Sequence, residues 1–301
     1  MKPLLPDALS RPRFHRKDTV RFYEQAVERV ICAMRDHLSE PLTLESLSKI
    51  AIISPYHFHR VFSEITGITP GRFLAALRIE RAKQLLATST LGITDVCLDV
   101  GYNSLGTFTT IFTGFVGVSP NRFRCLAAEK SQPRLERLLT AQLNFQNGFG
   151  NSVIEGTVSA SPSSIGAIFI GLFPTRVPQG FPIAGTRIIA PGYYRITGIP
   201  DGVYYLLAAG VRGSLNTRRL LLLAEDLLHV ASAGPISVLV GRSVDRIDLV
   251  LRPADLTDPP VLVALPLLMA AKAAAIFGSS TTLPNRQASA ALRHSGVAKK
   301  S

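Results

Sequence analysis

Ser54-Pro-Tyr-His-Phe-His-Arg-Val-Phe-Ser-Glu-Ile-Thr-Gly-Ile-Thr-Pro-Gly-Arg-Phe73 returns fifty positions later as Ser104-Leu-Gly-Thr-Phe-Thr-Thr-Ile-Phe-Thr-Gly-Phe-Val-Gly-Val-Ser-Pro-Asn-Arg-Phe123. Seven of the 20 aligned positions are identical and four more are close swaps: Val61/Ile111, Ser63/Thr113, Ile68/Val118 and Thr69/Ser119. A repeat of this length marks a duplicated supersecondary unit. What both copies retain is mostly apolar or turn-forming, as in Phe58/Phe108, Phe62/Phe112, Gly67/Gly117 and Pro70/Pro120. The side chains that would point outward differ. One scaffold with two different surfaces suits a reader of a long, repetitive ligand, and DNA is the first candidate.

Upstream of the first copy lies Thr43-Leu-Glu-Ser-Leu-Ser-Lys-Ile-Ala51, in which Leu44, Leu47 and Ile50 with Ala51 fall at helical spacing. Ile52-Ile53 then forms a tight turn, Ser54 suits an N-cap and Pro55 the first helical position. Phe58 and Phe62, four residues apart, bury one face of the second helix, and Gly67 ends it. The spacing predicts a helix-turn-helix. In such a unit the second helix enters the major groove with its N-terminal residues against base edges. In the second copy Thr94 is expected to cap a helix over Asp95 to Val100, Gly101 to stop it and Ser104 to cap the next. Its turn is one residue longer. Between the copies, Gly71 to Thr88 reads as one unbroken helix with Phe73, Leu74, Leu77, Ala82, Leu85 and Leu86 inward. A stiff connector of this kind would hold two recognition helices at a fixed separation, roughly 34 Å if both read one face of B-DNA.

With these residues in view, 21–127 resembles the DNA-binding domain of the AraC/XylS family of bacterial transcription regulators. The signature stretch is Gly101-Tyr102, Phe108, Phe112, Gly117-Val118-Ser119-Pro120 and Phe123-Arg124, preceded by Arg78-Ile79-Glu80-Arg81-Ala82. The resemblance covers about a third of the chain. It implies seven helices carrying two helix-turn-helix motifs, and activation of transcription through contact with RNA polymerase.

In the first recognition helix the non-core positions are Tyr56, His57, His59 and Arg60. The resemblance places Tyr56, His59 and Arg60 in the base- and backbone-contacting slots, and arginine is the best reader of guanine, binding O6 and N7 together. His57 and His59 cannot share a metal ion, because positions two apart on a helix point to opposite sides. The second recognition helix departs from the family pattern. From Val100 to Pro120 there is no charged residue, and the outward slots hold Ser104, Leu105, Gly106, Thr107 and Thr110. Thr110 stands where Arg60 stands in the first copy. These side chains can touch a thymine methyl or share one hydroxyl, but cannot clamp guanine or neutralise a phosphate. The first motif is therefore expected to carry most of the sequence discrimination, and the second to position the protein. Backbone grip is expected from Arg72, Arg122 and Arg124, with Arg78, Arg81 and Lys83 as helpers, although Arg81 could equally pair with Glu80 or Asp99.

The formal net charge of +12 suits a nucleic-acid partner. The excess is spread evenly, with 17 basic against 12 acidic residues in 1–130 and 16 against 9 in the rest. Cys32, Cys97 and Cys125 form no ligand or redox pattern. Cys97 and Cys32 sit in apolar helical contexts and are expected in the core. Residues 1–20 are a basic leader with no apolar run, and the apolar stretch from Val261 to Ala271 is too short to span a bilayer. A cytoplasmic location is expected.

After about residue 130 the pattern changes. Residues 131–151 read as a linker containing a short helical stretch from Leu135 to Leu143. From there strands alternate with Gly/Pro turns, near Val153–Ala160, Ala167–Phe173, Arg187–Ile189, Tyr193–Thr197, Val203–Val211, Ile236–Val240, Arg246–Leu251 and Val261–Leu265. Many short strands in this space suggest a β-sandwich over 152–270, interrupted by the run from Leu220 to Leu228. Ile154-Glu-Gly-Thr-Val158 and the hairpin from Pro191 to Leu206 resemble the transthyretin-like, carboxypeptidase-regulatory sandwiches, whose name implies no activity. Tyr193, Tyr194, Tyr204 and Tyr205 cluster in that hairpin. They suit either a ligand or dimer surface or cross-strand stabilisation, with one of each pair pointing inward. Residues 271–301 read as a flexible tail.

The sequence thus points to a multidomain chain: an all-α double helix-turn-helix domain over 21–130, then an all-β sandwich serving regulation or interaction. The expected function is sequence-specific transcriptional regulation on double-stranded DNA, activation through RNA polymerase, and a small-molecule effector at the C-terminal domain. The alternative is a ligand- or carbohydrate-binding sandwich that the DNA-binding half localises. No nucleophile elbow, metal-ligand cluster, phosphate-binding glycine loop or paired carboxylates point to an enzyme, a metal or a cofactor. Asp245 and Asp248, which flank Arg246, read as surface charge.

Overall fold

The computed structural model describes residues 17–128, 143–146, 150–161, 165–212, 228–239 and 246–263. Seven helices come first: α1 Lys17–Asp36, α2 Leu44–Ala51, α3 Pro55–Thr66, α4 Pro70–Thr88, α5 Ile93–Asp99, α6 Leu105–Val116 and α7 Pro120–Ala128. Eight strands follow: β1 Leu143–Gln146, β2 Ser152–Ala160, β3 Ile165–Phe173, β4 Ala184–Ile188, β5 Gly192–Ile199, β6 Gly202–Arg212, β7 Leu228–Val238 and β8 Leu249–Pro253. The chain is helical and then β, as its residue patterns imply.

Each helical pair is fixed by its caps. Thr43 and Ser46 close a reciprocal box at the start of α2, each side chain meeting the other's backbone N–H at 3.2 and 3.0 Å. Ile52 then turns the chain in the left-handed conformation at φ 59°, and Pro55 opens α3. Gly67 and Gly117 end α3 and α6 at φ 79° and 89°, where a β-carbon would be strained. At α5 the sequence reading needs correction. The N-cap is Gly92, whose N–H donates to the Asp95 carboxylate at 3.0 Å, and Thr94 lies inside the helix. The acidic side chain in the first turn takes up the free N–H of the cap residue and lies at the positive end of the helix. Ile50, expected inward, is exposed at the end of α2.

The repeat is built around matching aromatic stacks. Phe58 meets Phe62 at 5.5 Å and Phe62 meets Phe73 of α4 edge-on at 5.4 Å. In the second copy Phe108, Phe112 and Phe123 repeat the arrangement at 5.7 and 5.8 Å, with Tyr102 added at 5.6 Å. Tilted and edge-to-face rings at these separations attract beyond the area they bury. All these rings are buried. Between the two stacks runs α4, buried around most of its girth through Phe73, Leu74, Ala76, Leu77, Ile79, Ala82 and Leu86.

The strands form one sheet in the order β1-β4-β3-β6-β7-β8-β2-β5, antiparallel throughout except for β2 beside β8. The sheet curls until β5 approaches β4, so the all-β half is close to a barrel. Its interior holds Ile154, Ile168, Ile170, Leu172, Tyr194, Ile196 and Leu206. Strand β3 is buried on both sides: Ile168, Ile170 and Leu172 face that interior, while Ala167, Phe169 and Phe173 belong to the cluster that also holds the helices. Alternation along a strand permits this division. Tyr194 and Tyr204 point inward, donating to the backbone carbonyls of Ile247 and Asp201, and Tyr193 points out onto Glu155 at 2.6 Å.

Other expectations change too, and residues 261–263 of the strand expected near Val261–Leu265 form no strand. Residues 143–146, read as part of a linker, are β1 on the edge beside β4. Strand β7 begins at Leu228, well before Ile236, because Ser232, Gly234 and Pro235 interrupt the apolar pattern without ending the pairing with β6. Helix α1 begins at Lys17, inside the expected leader. Cys32 is exposed, whereas Cys97 is buried. Residues 135–142, the run 220–227, Val240, Asp245 and 264–301 lie outside the described residues. No helix among the described residues is long and apolar enough to cross a membrane.

Lys83 is the cost in this core. It was expected to reach a phosphate, yet it is 2% exposed beside the Phe123 ring, 6.0 Å from the ring centre. Desolvation pushes its pKa down to about 8, with Glu80 opposing the shift. Because the folded ammonium releases its proton more readily than the unfolded one, stability should rise with pH between about 8 and 10.5. Lys83→Met is expected to stabilise the protein by about 1–3 kcal/mol near neutral pH. That gain should shrink as pH climbs through the same window, measured as the shift in Tm across a pH series. A gain independent of pH would show that the buried charge is not its source.

Candidate nucleic-acid interface

Both second helices present their N-terminal turns to solvent. On α3 Tyr56 is 85% exposed, and His59 and Arg60 are exposed beside it. His57 lies half-buried and differs from its neighbours in role. Its Nε2 bonds to the Tyr23 hydroxyl of α1 at 2.9 Å, and its Nδ1 lies 3.2 Å from an Arg60 Nη. Arg60 also donates to Glu64 one turn on, at 3.2 Å. His57 therefore ties α3 to α1 and, with Glu64, fixes the direction of the Arg60 guanidinium. An arginine held in place gives up less side-chain freedom when it meets a partner. The sequence offered no signal of the Tyr23–His57 link, 34 residues apart.

On α6 the outward side chains are Leu105, Thr107 and Thr110, all exposed, with Gly106 between them. Ser104 is spent on capping, its Oγ accepting from the Thr107 N–H at 3.4 Å. Ser54, by contrast, holds the N-cap position of α3 without a side-chain cap hydrogen bond. The two surfaces therefore differ in chemistry as well as in sequence: one carries a fixed cation and two imidazoles, the other hydroxyls and a leucine.

The arginines divide by environment. Arg122 is exposed on the first turn of α7. Arg72, in the equivalent position on α4, is half-buried, and its Nε has no hydrogen-bond partner among the described residues. An enclosed donor without a partner is costly, and an anion arriving at α4 would satisfy it. Arg124 is turned inward, donating to the Leu91 carbonyl at 2.5 Å. Arg81 is exposed and reaches Gln84, while Glu80 pairs with Arg35 at 3.6 Å. Arg78, expected as a helper, is structural. Its Nε and Nη2 donate to the Leu38 and Glu40 carbonyls at 2.9 and 2.8 Å, and its guanidinium lies over the Tyr102 ring. Gly101 makes that arrangement possible. It sits at φ 83°, and a β-carbon there would come 2.5 Å from the Leu38 oxygen and 2.9 Å from Arg78. The Arg78, Gly101 and Tyr102 positions are thus a clasp between α4, the α1–α2 turn and the turn within the second motif.

No group of three or more His, Cys, Asp or Glu residues among those described could hold a metal ion. His59 is exposed and His57 is bound to Tyr23.

Residues 47–125 match the helix-turn-helix domain family. Among curated relatives, the chain is 40% identical over 88 residues to the bifunctional transcriptional activator/DNA repair enzyme AdaA of Bacillus subtilis, covering 29% of this chain and 42% of that protein. It is 37% identical over 91 residues to the MmsAB operon regulatory protein of Pseudomonas aeruginosa, covering 30% of each. Among solved structures, the C-terminal domain of AraT, a response regulator from Geobacillus stearothermophilus, shares 32% identity over 36% of this chain and 92% of its own, with a TM-score of 0.33. The chain spans less than half the length of either curated relative.

The clasp makes a prediction about stability. Gly101→Ala should destabilise the protein by about 1–3 kcal/mol, because the alanine must hold a left-handed conformation and push against the Leu38 carbonyl. Tyr102→Phe should change stability by less than about 0.5 kcal/mol, since the Tyr102 hydroxyl is buried without a partner among the described residues. Urea denaturation midpoints for the two variants test both. An unchanged midpoint for Gly101→Ala would remove the clasp from the account.

Proposed function

We propose that this chain, whose residues 47–125 form an AraC-type helix-turn-helix domain, is a sequence-specific DNA-binding transcriptional regulator that reads DNA chiefly through α3. The observation that carries the reading is the pre-set Arg60, exposed on the N-terminal half of α3 and steered by His57 and Glu64. That is where a recognition helix meets base edges in the major groove, and a guanidinium so placed can bond guanine O6 and N7 together. Tyr56 and His59 flank it with further polar and apolar contacts. Helix α6, with Leu105, Thr107 and Thr110, would add hydroxyl and methyl contacts and hold the register of the second site. Arg72 and Arg122, in matching places at the starts of α4 and α7, would bind phosphates, helped by the positive ends of those helices.

Activation through RNA polymerase and control by a small molecule at the sheet half belong to the same proposal. The relatives support the regulatory part alone: AdaA is named a transcriptional activator and the Pseudomonas protein an operon regulator.

Selection of bound duplexes from a random pool tests the reading. It should enrich one asymmetric site. Against that site Arg60→Ala should lose about 1–3 kcal/mol and relax one position, whereas Thr110→Ala should lose clearly less. Arg72→Ala should weaken binding to all duplexes alike and lower the salt slope by about one. Equal losses at Arg60 and Thr110 would overturn the division of labour between the helices. A pool with no enriched sequence would overturn sequence-specific reading.

A further inference from the structure

A cavity of about 330 Å³ lies where the helical half meets the sheet, a size at the lower end of the range for small-molecule sites. Phe169, Leu207, Ala209 and Val230 supply an apolar wall from the face of β3, β6 and β7 that looks away from the sheet's own interior. Ile65 and Gly67, from the C-terminal end of α3, line the same space. The site therefore touches the helix that carries Arg60.

Four charged side chains line the cavity, and three are already neutralised. Arg252 and Asp258 form a two-point pair at 2.6 and 2.7 Å. Asp248 takes Arg246 at 3.0 Å and the Thr157 N–H at 2.7 Å. Arg176, on the loop between β3 and β4, is exposed and has no hydrogen bond or ion pair among the described residues. It lies against the α3 C-cap: a β-carbon on Gly67 would stand 3.0 Å from its Cδ and Nε. The same loop reaches the second recognition helix, where the Gly180 N–H donates to the Phe115 carbonyl at 3.4 Å. An apolar chamber with one unmatched cation at its edge selects a ligand with an apolar body and one negative charge.

We propose that this cavity binds a small monocarboxylic acid whose carboxylate pairs with Arg176, and that the bound acid alters the seat of α3. The proposal rests on the reading of the sheet half as a sensor and names its site and ligand class. A cation at the C-terminal end of a helix offsets the partial negative charge of its last carbonyls. Carboxylate oxygens accepting from the Arg176 guanidinium draw that charge toward the cavity and leave the α3 terminus less well compensated. If DNA also prefers one seat of α3, a ligand that distinguishes the two seats changes DNA affinity, and DNA changes ligand affinity by the same factor.

Calorimetric titration of the full chain with hydrocinnamate, without DNA, tests the site. Saturable binding of one molecule per chain is expected. Binding should weaken by about tenfold or more for the neutral amide of the same acid and for Arg176→Gln. Ala209→Phe, which fills the apolar wall, should abolish it, and an unaltered thermal unfolding curve confirms that this variant folds. No saturable heat, or equal affinity for the amide or for Arg176→Gln, overturns the proposal. Repeating the DNA titration with saturating hydrocinnamate then tests the coupling: a changed affinity is expected, and an unchanged one overturns the link to α3. Because the calorimetry contains no DNA, failure of the cavity and failure of DNA reading are separate results.

Discussion

The helical half depends on one central helix lying between two copies of an aromatic stack. Helix α4 contributes Phe73 to the first stack, and its Lys83 ammonium lies over the Phe123 ring of the second. Each recognition helix commits its Phe pair to this core, Phe58 with Phe62 and Phe108 with Phe112. Their opposite faces are thereby turned to solvent. The exposure of Tyr56, Arg60, Thr107 and Thr110 is a consequence of where the rings are buried. A shift of α4 would disturb both surfaces at once, which is how two unlike faces remain in register on a common support.

Locking interactions at the ends of this support set its geometry. The Arg78 clasp joins α4 to the turn after α1 and accepts the left-handed glycine in the turn of the second motif. Tyr23 and His57 do the same for the first motif from the opposite side. Both locks use side chains that could have been assigned to the ligand. Their atoms are committed to the protein, so the residues left for contact are fewer and better placed.

Local chemistry explains which features could be read from the sequence. Helices α3, α4 and α6 announce themselves through Pro55, Pro70, Ser104, Gly67 and Gly117, because caps and stops are short-range requirements. The Phe pairs spaced by four residues identify the buried face for the same reason. What the sequence concealed depends on distant partners. Lys83 and Arg78 look like two more surface cations in a basic helix until Phe123, Tyr102 and the Leu38 carbonyl are brought beside them. Arg124 turns toward the Leu91 carbonyl, 33 residues earlier. The Asp95 carboxylate displaces Thr94 from the cap by a two-residue change in where α5 begins. In the sheet half, β1 has only four residues, too short a run for its Leu143-Asn-Phe-Gln alternation to stand out. The residues of β7 before Ile236 mix small and polar side chains that only the pairing with β6 makes strand-like. Arg176 carried no motif at all, and its interest comes wholly from the α3 terminus beside it.

Strand β3 makes the two halves poor candidates for modular exchange. Ala167, Phe169 and Phe173 face the helices on the side opposite Ile168, Ile170 and Leu172. Grafted onto a different DNA-binding unit, the sheet would carry two bare phenylalanines on an apolar wall, a surface that invites self-association. A hybrid gene would therefore need compensating polar changes at these positions before its product could remain monodisperse. The join between the halves restricts recombination as firmly as a core does, although the residues on either side of it belong to different architectures.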